Sequence, residues 1–403
     1  MQASKVWSER LLIGALYAFS LSVFVSVSLV AAFQILLVIA FLLAAFSGGL
    51  SLKLPKSGWF LLAFVFAQIL SGILNFPELQ EKSHALGLIK YPLVGLIGVI
   101  LFRNLQSTTV LKDSIRPIFY LFLLSIVVAC IHGVIKVYLG YDVFKLRSGD
   151  FGTRVGGFTD VMRYGYGSAI VLLILTGLSF NLKRFPSLNR NFIYFAILFG
   201  GVGLVLSYTR GALLGLLMGV PIIVFYYRRI FGYWIAGLSA AVIGALVVVA
   251  LLGGSQASRF FMSATSSSNT IRLSQYQSAW KAFLENPVVG LGPQQLKYHV
   301  QDLKERYDLP HKEYVNEHSH NVFLETLANT GILGFIAFML WITSWAIEIF
   351  KSSNLHKQIF LPVVVFIFVA GQFEMLFMAQ TSTLIYFLYS LSFVEIDPDR
   401  QKV

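Results

Sequence analysis

The sequence has few charged residues and only one cysteine, and both shortages limit what the protein can be. Aspartate, glutamate, lysine and arginine make up 12% of the 403 residues, whereas hydrophobic residues make up 57%. So few charges cannot solvate separate soluble domains in a chain of this length, which places it among the polytopic membrane proteins. The cysteine, Cys130, lies within an apolar run, and a single cysteine excludes an intramolecular disulfide.

Several functional motifs are also missing. The sequence has no Walker loop, no paired aspartates at the end of a span, no serine–lysine nucleophile arrangement, no internal repeat and no low-complexity segment. The short basic connections between apolar runs cannot contain a nucleotide-binding domain, so ATP-driven work would need a partner protein. The formal net charge of +12 does not indicate nucleic-acid binding, because the basic residues fall in short clusters between apolar runs.

Apolar runs of about 17–25 residues, the length that crosses a bilayer as a helix, occur twelve times. The first two runs are poorly separated, so eleven spans is the alternative. The sequence therefore predicts an all-α polytopic membrane protein with about twelve transmembrane helices. The predicted spans are 11–28, 31–49, 58–76, 85–102, 116–138, 163–180, 191–208, 211–227, 232–252, 324–347, 358–376 and 380–394.

Basic residues cluster in alternate short connections, and by the positive-inside rule these connections and both termini face the cytoplasm. They include Lys53, Lys56, Arg103, Lys183, Arg184, Arg228 and Arg229. We therefore predict that residues 1–252 form the first nine spans, with an outward loop at 139–162. Residues 253–322 form a large periplasmic loop that carries the catalytic residues. Residues 323–403 form the last three spans and a cytoplasmic C-terminus.

Arginines on the predicted outer side run against this charge rule, so membrane orientation does not explain them. Arg147 and Arg154 lie in a glycine-rich loop, where backbone can approach a ligand closely and guanidinium groups match phosphate geometry. Arg210 follows the tight turn 207–209 and begins a helix, where free backbone N–H groups form an anion site. The plainer interpretations are a solvated loop with arginine–aspartate pairs and an arginine that anchors a helix at the interface.

Two patterns predict local structure near these arginines. The glycines at 211, 215 and 219 follow a spacing that gives one smooth helix face for close packing. Residues 271–284 have an amphipathic helical pattern, and the turn 286–293, rich in proline and glycine, ends it.

His318 and His320 lie directly before the predicted span 324–347 and allow three interpretations. With Glu317 and His311 they could bind zinc, although a His-x-His spacing supplies no clear fourth ligand. They could instead form a packed pair that caps the helix. The third interpretation is a general base or a group that orients substrate, because histidine titrates near neutral pH. In that case we expect His320 at the membrane interface and His318 pointing elsewhere.

Together these segments resemble the O-antigen ligase family, which shares its pattern with O-antigen polymerases and bacterial O-linked oligosaccharyltransferases. The resemblance covers the chain from about Arg154 to Phe338. Three segments carry it: Ser207-Tyr208-Thr209-Arg210-Gly211; Arg272 with Trp280 and Pro287-Val288-Val289-Gly290-Leu291-Gly292; and His318-Ser319-His320-Asn321-Val322-Phe323-Leu324, continuing to Gly331 and Gly334.

The resemblance implies a GT-C-type glycosyltransferase of the bacterial inner membrane that uses no metal and no cofactor. It would transfer O-antigen from undecaprenyl diphosphate to a sugar hydroxyl of lipid A–core on the periplasmic face. Its partners would be these two lipid-linked glycans and the membrane lipids. Arg210 and Arg272 would neutralise the diphosphate, and His320 would serve the acceptor hydroxyl. The residues implied in substrate binding are Arg147, Arg154, Tyr208, His318 and Asn321.

The sequence leaves other functions open. An O-antigen polymerase and a protein O-oligosaccharyltransferase use the same lipid-linked donor, so the donor chemistry does not separate them. A flippase or transporter for lipid-linked sugars is the alternative from another class. Such a protein would carry ionisable groups near the bilayer midplane in repeat-related broken helices. Only Glu374 is predicted clearly inside a span, and there is no repeat, so transport is disfavoured.

Overall fold

The computed structural model describes residues 2–48, 50–105, 109–227, 267–312 and 317–395. The predicted span 232–252 lies outside the described residues.

The described chain is mostly helical. The helices before the gap at 228–266 are α1 (Gln2–Ser22), α2 (Val27–Phe46), α3 (Lys56–Leu74), α4 (Lys82–Gly87), α5 (Lys90–Leu105), α6 (Thr109–Tyr138), α7 (Val161–Ser179), α8 (Arg190–Leu206) and α9 (Arg210–Tyr227), with a 3₁₀ turn at Leu182–Arg184. The helices after the gap are α10 (Ser267–Glu285), α11 (Leu296–Arg306), α12 (Val322–Lys351), α13 (Asn354–Ala370) and α14 (Ala379–Leu391). Between α6 and α7, β1 (Tyr141–Asp142) and β2 (Arg147–Ser148) form an antiparallel hairpin.

Seven described helices are long and apolar enough to cross a membrane, which makes the chain a helical multi-pass membrane protein. They are α2, α3, α5 with the end of α4, α6, α7, α9 and α12; α8 and α13 are apolar but shorter. Helices lie over every predicted span except 232–252, and a turn at 23–26 separates α1 from α2. The total of twelve spans stays a prediction.

One predicted span was too long, and the difference places a carboxylate outside a helix. The span 358–376 was predicted as continuous, but α13 ends at Ala370 and residues 371–378 are not helical. Glu374 lies in this irregular segment, so its prediction inside a span was wrong. Apolar composition alone predicted the span, whereas the backbone here leaves the helix to bond another segment: the carbonyl of Gly371 accepts a hydrogen bond from Val322 N at 2.8 Å.

The turn 286–293 enters a break in α12. At Gly331 the backbone of α12 leaves the helical region, with φ +62° and ψ −165°. Leu291 N donates to the carbonyl of Ala328 at 3.0 Å, and Ile332 N donates to that of Pro287 at 2.9 Å. A side chain at Gly331 would overlap the backbone of Val288, so this crossing requires glycine.

The polar segment 267–312 has its own small core, which rests on the first part of α12. Ala279 and Ala282 of α10 are buried with Leu296 and Val300 of α11 and with Ala328 of α12. The sequence predicted the α10 helix, and the structure confirms it. The core fixes α10 beside the segment that precedes α12.

The glycine face of α9 is packed as predicted. A side chain at Gly215 would overlap Phe366 of α13, and one at Gly219 would overlap Leu173 of α7. These approaches hold α9, which begins with Arg210, close to both helices.

Buried aromatic rings join α12 to α14. Trp341 and Trp345 are fully buried, and the ring of Trp341 stacks on that of Tyr386 with centroids 5.2 Å apart. Such pairs stabilise packing beyond the apolar area that they bury. This contact fixes α12 and α14 relative to each other. The residues just before α12 include the two histidines, and those just before α14 include Glu374.

Candidate active site

Two histidines and a buried glutamate meet where α12 begins. His318 Nε2 and His320 Nδ1 each lie 3.0 Å from the same atom, Oε1 of Glu374. The two imidazole rings are 4.4 Å apart between centroids. Because an ionised carboxylate only accepts hydrogen bonds, both of these nitrogens carry a proton. We call His318, His320 and Glu374 the histidine–glutamate cluster.

The backbone around His320 explains why both rings face the same carboxylate. Residues 317–321 are not helical, and His320 has a left-handed φ of +52°. This bend turns both side chains toward the 371–378 segment, so the expectation that His318 points elsewhere was wrong. A helix alone would have separated two side chains that are two positions apart.

Asn321, and neither histidine, caps α12. Its Oδ1 accepts hydrogen bonds from Phe323 N at 2.9 Å and Leu324 N at 3.1 Å, which is how an asparagine satisfies the first N–H groups of a helix. Its Nδ2 donates to Gln372 Oε1 at 3.2 Å. Asn321 therefore joins the histidine segment to the Glu374 segment, and its part in substrate binding stays a prediction.

The electrostatics of the cluster favour charge on both sides. Burial opposes ionisation of Glu374, but hydrogen bonds from His318 and His320 outweigh it and hold the pKa of this carboxyl well below its usual value. Burial also opposes charge on His318, yet the hydrogen bond to Glu374 and the negative charges of Glu325, Glu374 and Glu317 raise its pKa. The site thus contains a carboxylate and a histidine with an increased tendency to be an imidazolium.

One carboxylate oxygen in the cluster is left unused. Glu374 is only 6% exposed, and its Oε2 has no hydrogen-bond partner among the described residues. Buried polar atoms are nearly always paired, so an unpaired carboxylate oxygen calls for an explanation. The oxygen belongs to a side chain that lines a cavity of about 220 Å³, whose other walls include His318, His320, Arg163 and Tyr166.

Glu325 and Glu317 support the backbone of the histidine segment. Glu325 accepts hydrogen bonds from Ser319 N at 2.7 Å and Asn329 Nδ2 at 2.9 Å. Glu317 accepts a hydrogen bond from Gln275 of α10. The histidines are therefore held by α10 and α12 as well as by Glu374.

Arg272, which the resemblance implies is catalytic, acts through its charge on Tyr166, a residue of the cavity wall. The charge of Arg272 acts on the buried hydroxyls of Tyr166 and Tyr276, as does that of Glu374, so all four side chains share one electrostatic environment. Tyr276 also donates a hydrogen bond to the carbonyl of Gln372 at 2.7 Å. Arg272 is half-buried on α10.

Arg210 is exposed at the first position of α9. A side chain at the next residue, Gly211, would overlap the hydroxyl of Tyr166, so the start of α9 is pressed against the cavity wall. The start of α9 therefore lies beside a residue of the cavity wall, although neither Arg210 nor Arg272 lines the cavity itself.

Arg154 and Tyr208 belong to the turn that leads into Arg210. Arg154 Nε donates to the carbonyl of Ser207 at 2.8 Å, and a second nitrogen of its guanidinium lies 3.4 Å from Thr209 Oγ1. Tyr208 is half-buried with a left-handed φ of +51°. Arg154 therefore supports the turn that positions Arg210, and substrate binding by Arg154 and Tyr208 stays a prediction.

The structure does not bring Arg147 to the cavity. This residue is exposed on β2, with its guanidinium 5.7 Å from the ring centroid of Phe151. It is not part of the cavity wall. Within the described residues, no contact of Arg147 supports its predicted role in substrate binding.

The structure also allows metal binding, but by a different set of ligands from the one that the sequence suggested. Within the described residues, the possible metal-binding group consists of His318, His320 and Glu374, whose ligand atoms lie within 4.8 Å of one another. Two imidazole nitrogens and a carboxylate oxygen suit zinc or iron. Neither His311, which contacts Thr270, nor Glu317 joins the group. The zinc set proposed from the sequence was wrong in these two members.

Glu374 was not predicted to be a site residue, although it stands out in the sequence as an ionisable group in an apolar stretch. Such groups are costly in a membrane and usually have a function. That signal was available, but the partner of Glu374 was not, since 54 residues separate it from His320.

A comparison with family models gives one match. Residues 194–339 match the family described as O-antigen ligase. The matched stretch runs from α8 through Arg210, Arg272 and the two histidines into α12, and it confirms the resemblance that the sequence suggested. No curated protein matches the chain.

Proposed function

We propose that the chain transfers O-antigen from undecaprenyl diphosphate to a sugar hydroxyl of lipid A–core, and the match of residues 194–339 to the O-antigen ligase family supports this. The observation that carries this proposal is the histidine–glutamate cluster at a cavity that Arg163 and Tyr166 also line. Arg272 shares the electrostatic environment of that cavity. A base and a cationic group for a diphosphate are the two elements that such a transfer needs.

His320 is the proposed base. Its Nδ1–H donates a hydrogen bond to Glu374, which leaves Nε2 as the nitrogen that can accept a proton. The acceptor hydroxyl loses its proton to Nε2 as its oxygen attacks the anomeric carbon of the donor sugar. Glu374 orients the ring and stabilises the imidazolium that forms, as a buried carboxylate does for other catalytic histidines.

Arginines stabilise the leaving group. The bond between the anomeric carbon and the diphosphate oxygen breaks, and its electron pair leaves with undecaprenyl diphosphate. Arg210 and Arg272 balance the charge on this group through paired N–H donors. The energy for transfer is already in the diphosphate linkage, so no nucleotide site is required.

We assign the reaction to the periplasmic face of the inner membrane, with both termini in the cytoplasm and the catalytic loop at 253–322. The basic residues of the alternate connections support this orientation. Both substrates are anchored in lipid, so a site at the membrane surface can receive them laterally between helices. Labelling cysteines introduced at Arg147 and Lys183 with a membrane-impermeant reagent in intact cells tests the orientation. Labelling of the first position alone agrees with it, and the reverse pattern contradicts it.

We expect the reaction to proceed without a divalent metal, because arginines carry out the charge neutralisation. Purified protein with lipid-linked donor and lipid A–core should keep its activity in excess EDTA. This experiment is informative because the histidine–glutamate cluster has side chains that could bind a metal ion. Activity that is lost with EDTA and returns with zinc would make the cluster a metal site.

Gene deletion separates the proposed ligase from its relatives. Loss of both long and single-repeat O-antigen on the core, with lipid-linked polymer accumulating, supports the ligase. Retention of one repeat on the core supports a polymerase, and loss of glycan from proteins supports an oligosaccharyltransferase. Failure of lipid-linked glycan to reach the periplasm supports a flippase. Gel analysis of lipopolysaccharide with extraction of lipid-linked glycans distinguishes these results.

A further inference from the structure

A second cavity also has His318 in its wall. It is lined by residues of α3, α5, α12 and α14, of 293–297 and of the 371–378 segment. We call it the α3–α14 cavity. It shares His318, Met375 and Met378 with the cavity that contains His320 and Arg163, so the two cavities are neighbours.

Three buried oxygens around the α3–α14 cavity have no partner. They are Oε1 of Gln68, Oε1 of Gln294 and Oγ of Ser382, none of which has a hydrogen-bond partner among the described residues. Burial without a hydrogen bond is costly for an amide or hydroxyl. Three such groups on one cavity therefore indicate an occupant that offers several hydrogen-bonding groups.

Several of the other lining residues are aromatic. Phe64, Tyr91, Phe338 and Tyr386 line the same cavity. Rings with a few well-placed polar groups are the usual lining of a site for a small organic ligand. A pyranose matches this lining, because its C–H face packs on rings while its hydroxyl groups reach the polar atoms.

The charge of the cavity argues against a diphosphate. In the part of the chain that the structure describes, its lining contains no arginine, and its lysine, Lys297, lies 3.8 Å from the carboxylate of Glu81. Arg163 instead lines the neighbouring cavity with Tyr166, and the charge of Arg272 acts on Tyr166. A hydrocarbon tail also fits poorly, since it would leave the three oxygens unpaired.

We propose that the α3–α14 cavity is a sugar subsite that holds a ring of the acceptor against the histidine–glutamate cluster. The inference rests on the proposed transfer to a sugar hydroxyl and adds where the acceptor is bound. The donor diphosphate then occupies the cavity that Arg163 lines, and the acceptor approaches from the neighbouring α3–α14 cavity. Separate spaces for the two substrates suit a displacement in which the nucleophile and the leaving group lie on opposite sides of the reacting carbon.

Steady-state kinetics of Gln68→Leu and Ser382→Ala test the subsite. Each substitution removes one polar group with little change in volume, and Ser382→Ala removes a single atom, so it should fold. With purified protein, we expect the KM for lipid A–core to rise about three- to tenfold, the effect of one lost neutral hydrogen bond. The KM for the undecaprenyl-diphosphate-linked donor and kcat should stay unchanged.

Gln34→Leu is the matched control. Gln34 is a buried glutamine of α2 whose Nε2 also lacks a partner among the described residues, but it is not part of the cavity wall. This control should leave both KM values unchanged. A rise in the donor KM in Gln68→Leu would assign the cavity to the donor and overturn the proposal.

Unchanged KM values in both test variants would mean that only water fills the cavity, which also overturns the subsite. Neither result bears on the transfer reaction itself. If the wild-type protein transfers no glycan to lipid A–core, the proposed function fails instead, and the kinetic comparison shows this before any variant is made.

Discussion

Within the described residues, histidine meets a buried carboxylate in two groups, and these differ in how much of their hydrogen-bonding capacity is used. In the first, His132 of α6 contacts Asp142 of β1 at 3.3 Å. In the second, His318 and His320 contact Glu374. Both carboxylates are almost fully buried. The composition of the two groups is nearly the same, so their surroundings decide what each can do.

The His132 group is saturated. Asp142 Oδ1 also accepts hydrogen bonds from the backbone of Phe144 and Lys145, and its Oδ2 lies 3.6 Å from Lys136 Nζ. The ring of His132 stacks on Phe158 with centroids 4.0 Å apart. Burial raises the pKa of Asp142, but these hydrogen bonds and the charge of Lys136 prevail and lower it to about 2. This group joins the 139–160 loop to α6.

The histidine–glutamate cluster, in contrast, leaves part of its hydrogen-bonding capacity unused. Glu374 Oε2 has no partner in the described residues, and both histidines face a cavity. A candidate active site is therefore distinguished from a structural contact by its unused hydrogen-bonding capacity. The presence of histidine and carboxylate alone does not distinguish them.

The largest expected effect is that of His320→Ala. Loss of a general base should lower turnover about 10²–10⁴-fold, while donor binding persists because the arginines remain. The measurement is glycan transfer by purified protein together with binding of the lipid-linked donor. His132→Ala is the comparison: it should reduce the yield of folded protein but keep the turnover of the folded fraction. Equal losses of turnover in the two variants would remove the distinction between the groups.

Glu374→Gln should have the next largest effect. The amide preserves shape but removes the charge that orients His320, and loss of such a supporting partner typically costs about 10–100-fold. Rates of transfer by purified protein measure this loss. Turnover that matches the wild type would show that His320 is oriented by other contacts.

The same variant should change how stability depends on pH. The raised pKa of His318 means that its contribution is complete below its ordinary value of 6.5 and is lost as the pH rises through the folded-state pKa. The lowered pKa of Glu374 means that its contribution is present above 4.5 and is lost as the pH falls through its folded-state pKa. The melting temperature of the wild type should therefore fall as the pH rises above 6.5, and this fall should be smaller in Glu374→Gln, where Glu325 and Glu317 still act on His318.

Arg210→Lys extends the comparison to the arginines and should have a smaller effect. Arg154 is bonded to the turn at Ser207, whereas Arg210 is exposed at the start of α9. Lysine keeps the charge but loses the paired donors, so transfer should fall about three- to tenfold, as for the loss of one hydrogen bond. Arg103→Lys, at the other end of the bundle, is the control. Near-normal activity in Arg210→Ala would show that this residue does not bind the diphosphate.

Asp142→Asn should leave turnover unchanged and reduce stability. Its hydrogen bonds involve a buried charge, so the free energy of unfolding should fall by about 1–3 kcal/mol at neutral pH. The lowered pKa of Asp142 means that this advantage of the wild type is lost as the pH falls below 3.8 toward 2. Denaturation across this pH range, with transfer assays on the folded fraction, checks both parts. A loss of turnover in the folded fraction would make the loop part of the active site.

The sequence predicted the helices well because apolar runs of membrane length have few alternative structures. It also predicted the close packing at Gly215 and Gly219, since the spacing of small residues follows directly from helix geometry. The break at Gly331 was not predicted. A glycine in an apolar run fits a continuous helix equally well, and only the turn 286–293, distant in sequence, shows that the helix opens there.

For the site, the sequence supplied the residue types but not their partners. His318, His320 and Arg210 were recognised because ionisable groups at a membrane edge are few, whereas Arg272 was recognised only through the family resemblance. Glu374 was misplaced inside a span, because the pairing of two irregular segments depends on long-range hydrogen bonds. The same reason explains the wrong orientation expected for His318, which follows from the left-handed backbone at His320.

The order of the site residues along the chain has a consequence for biosynthesis. The ribosome makes Arg210, Arg272 and both histidines before Glu374, the carboxylate that contacts the two histidines. The turn 286–293 likewise waits for the break at Gly331 before it can hydrogen-bond there. A nascent chain that stalls before Glu374 therefore holds groups that attract a lipid diphosphate but lacks the carboxylate that orients the base. In the proposed ligase, catalytic competence would then arrive only after Glu374 has been made and has met the two histidines, which spares the lipid carrier from cleavage by half-made protein.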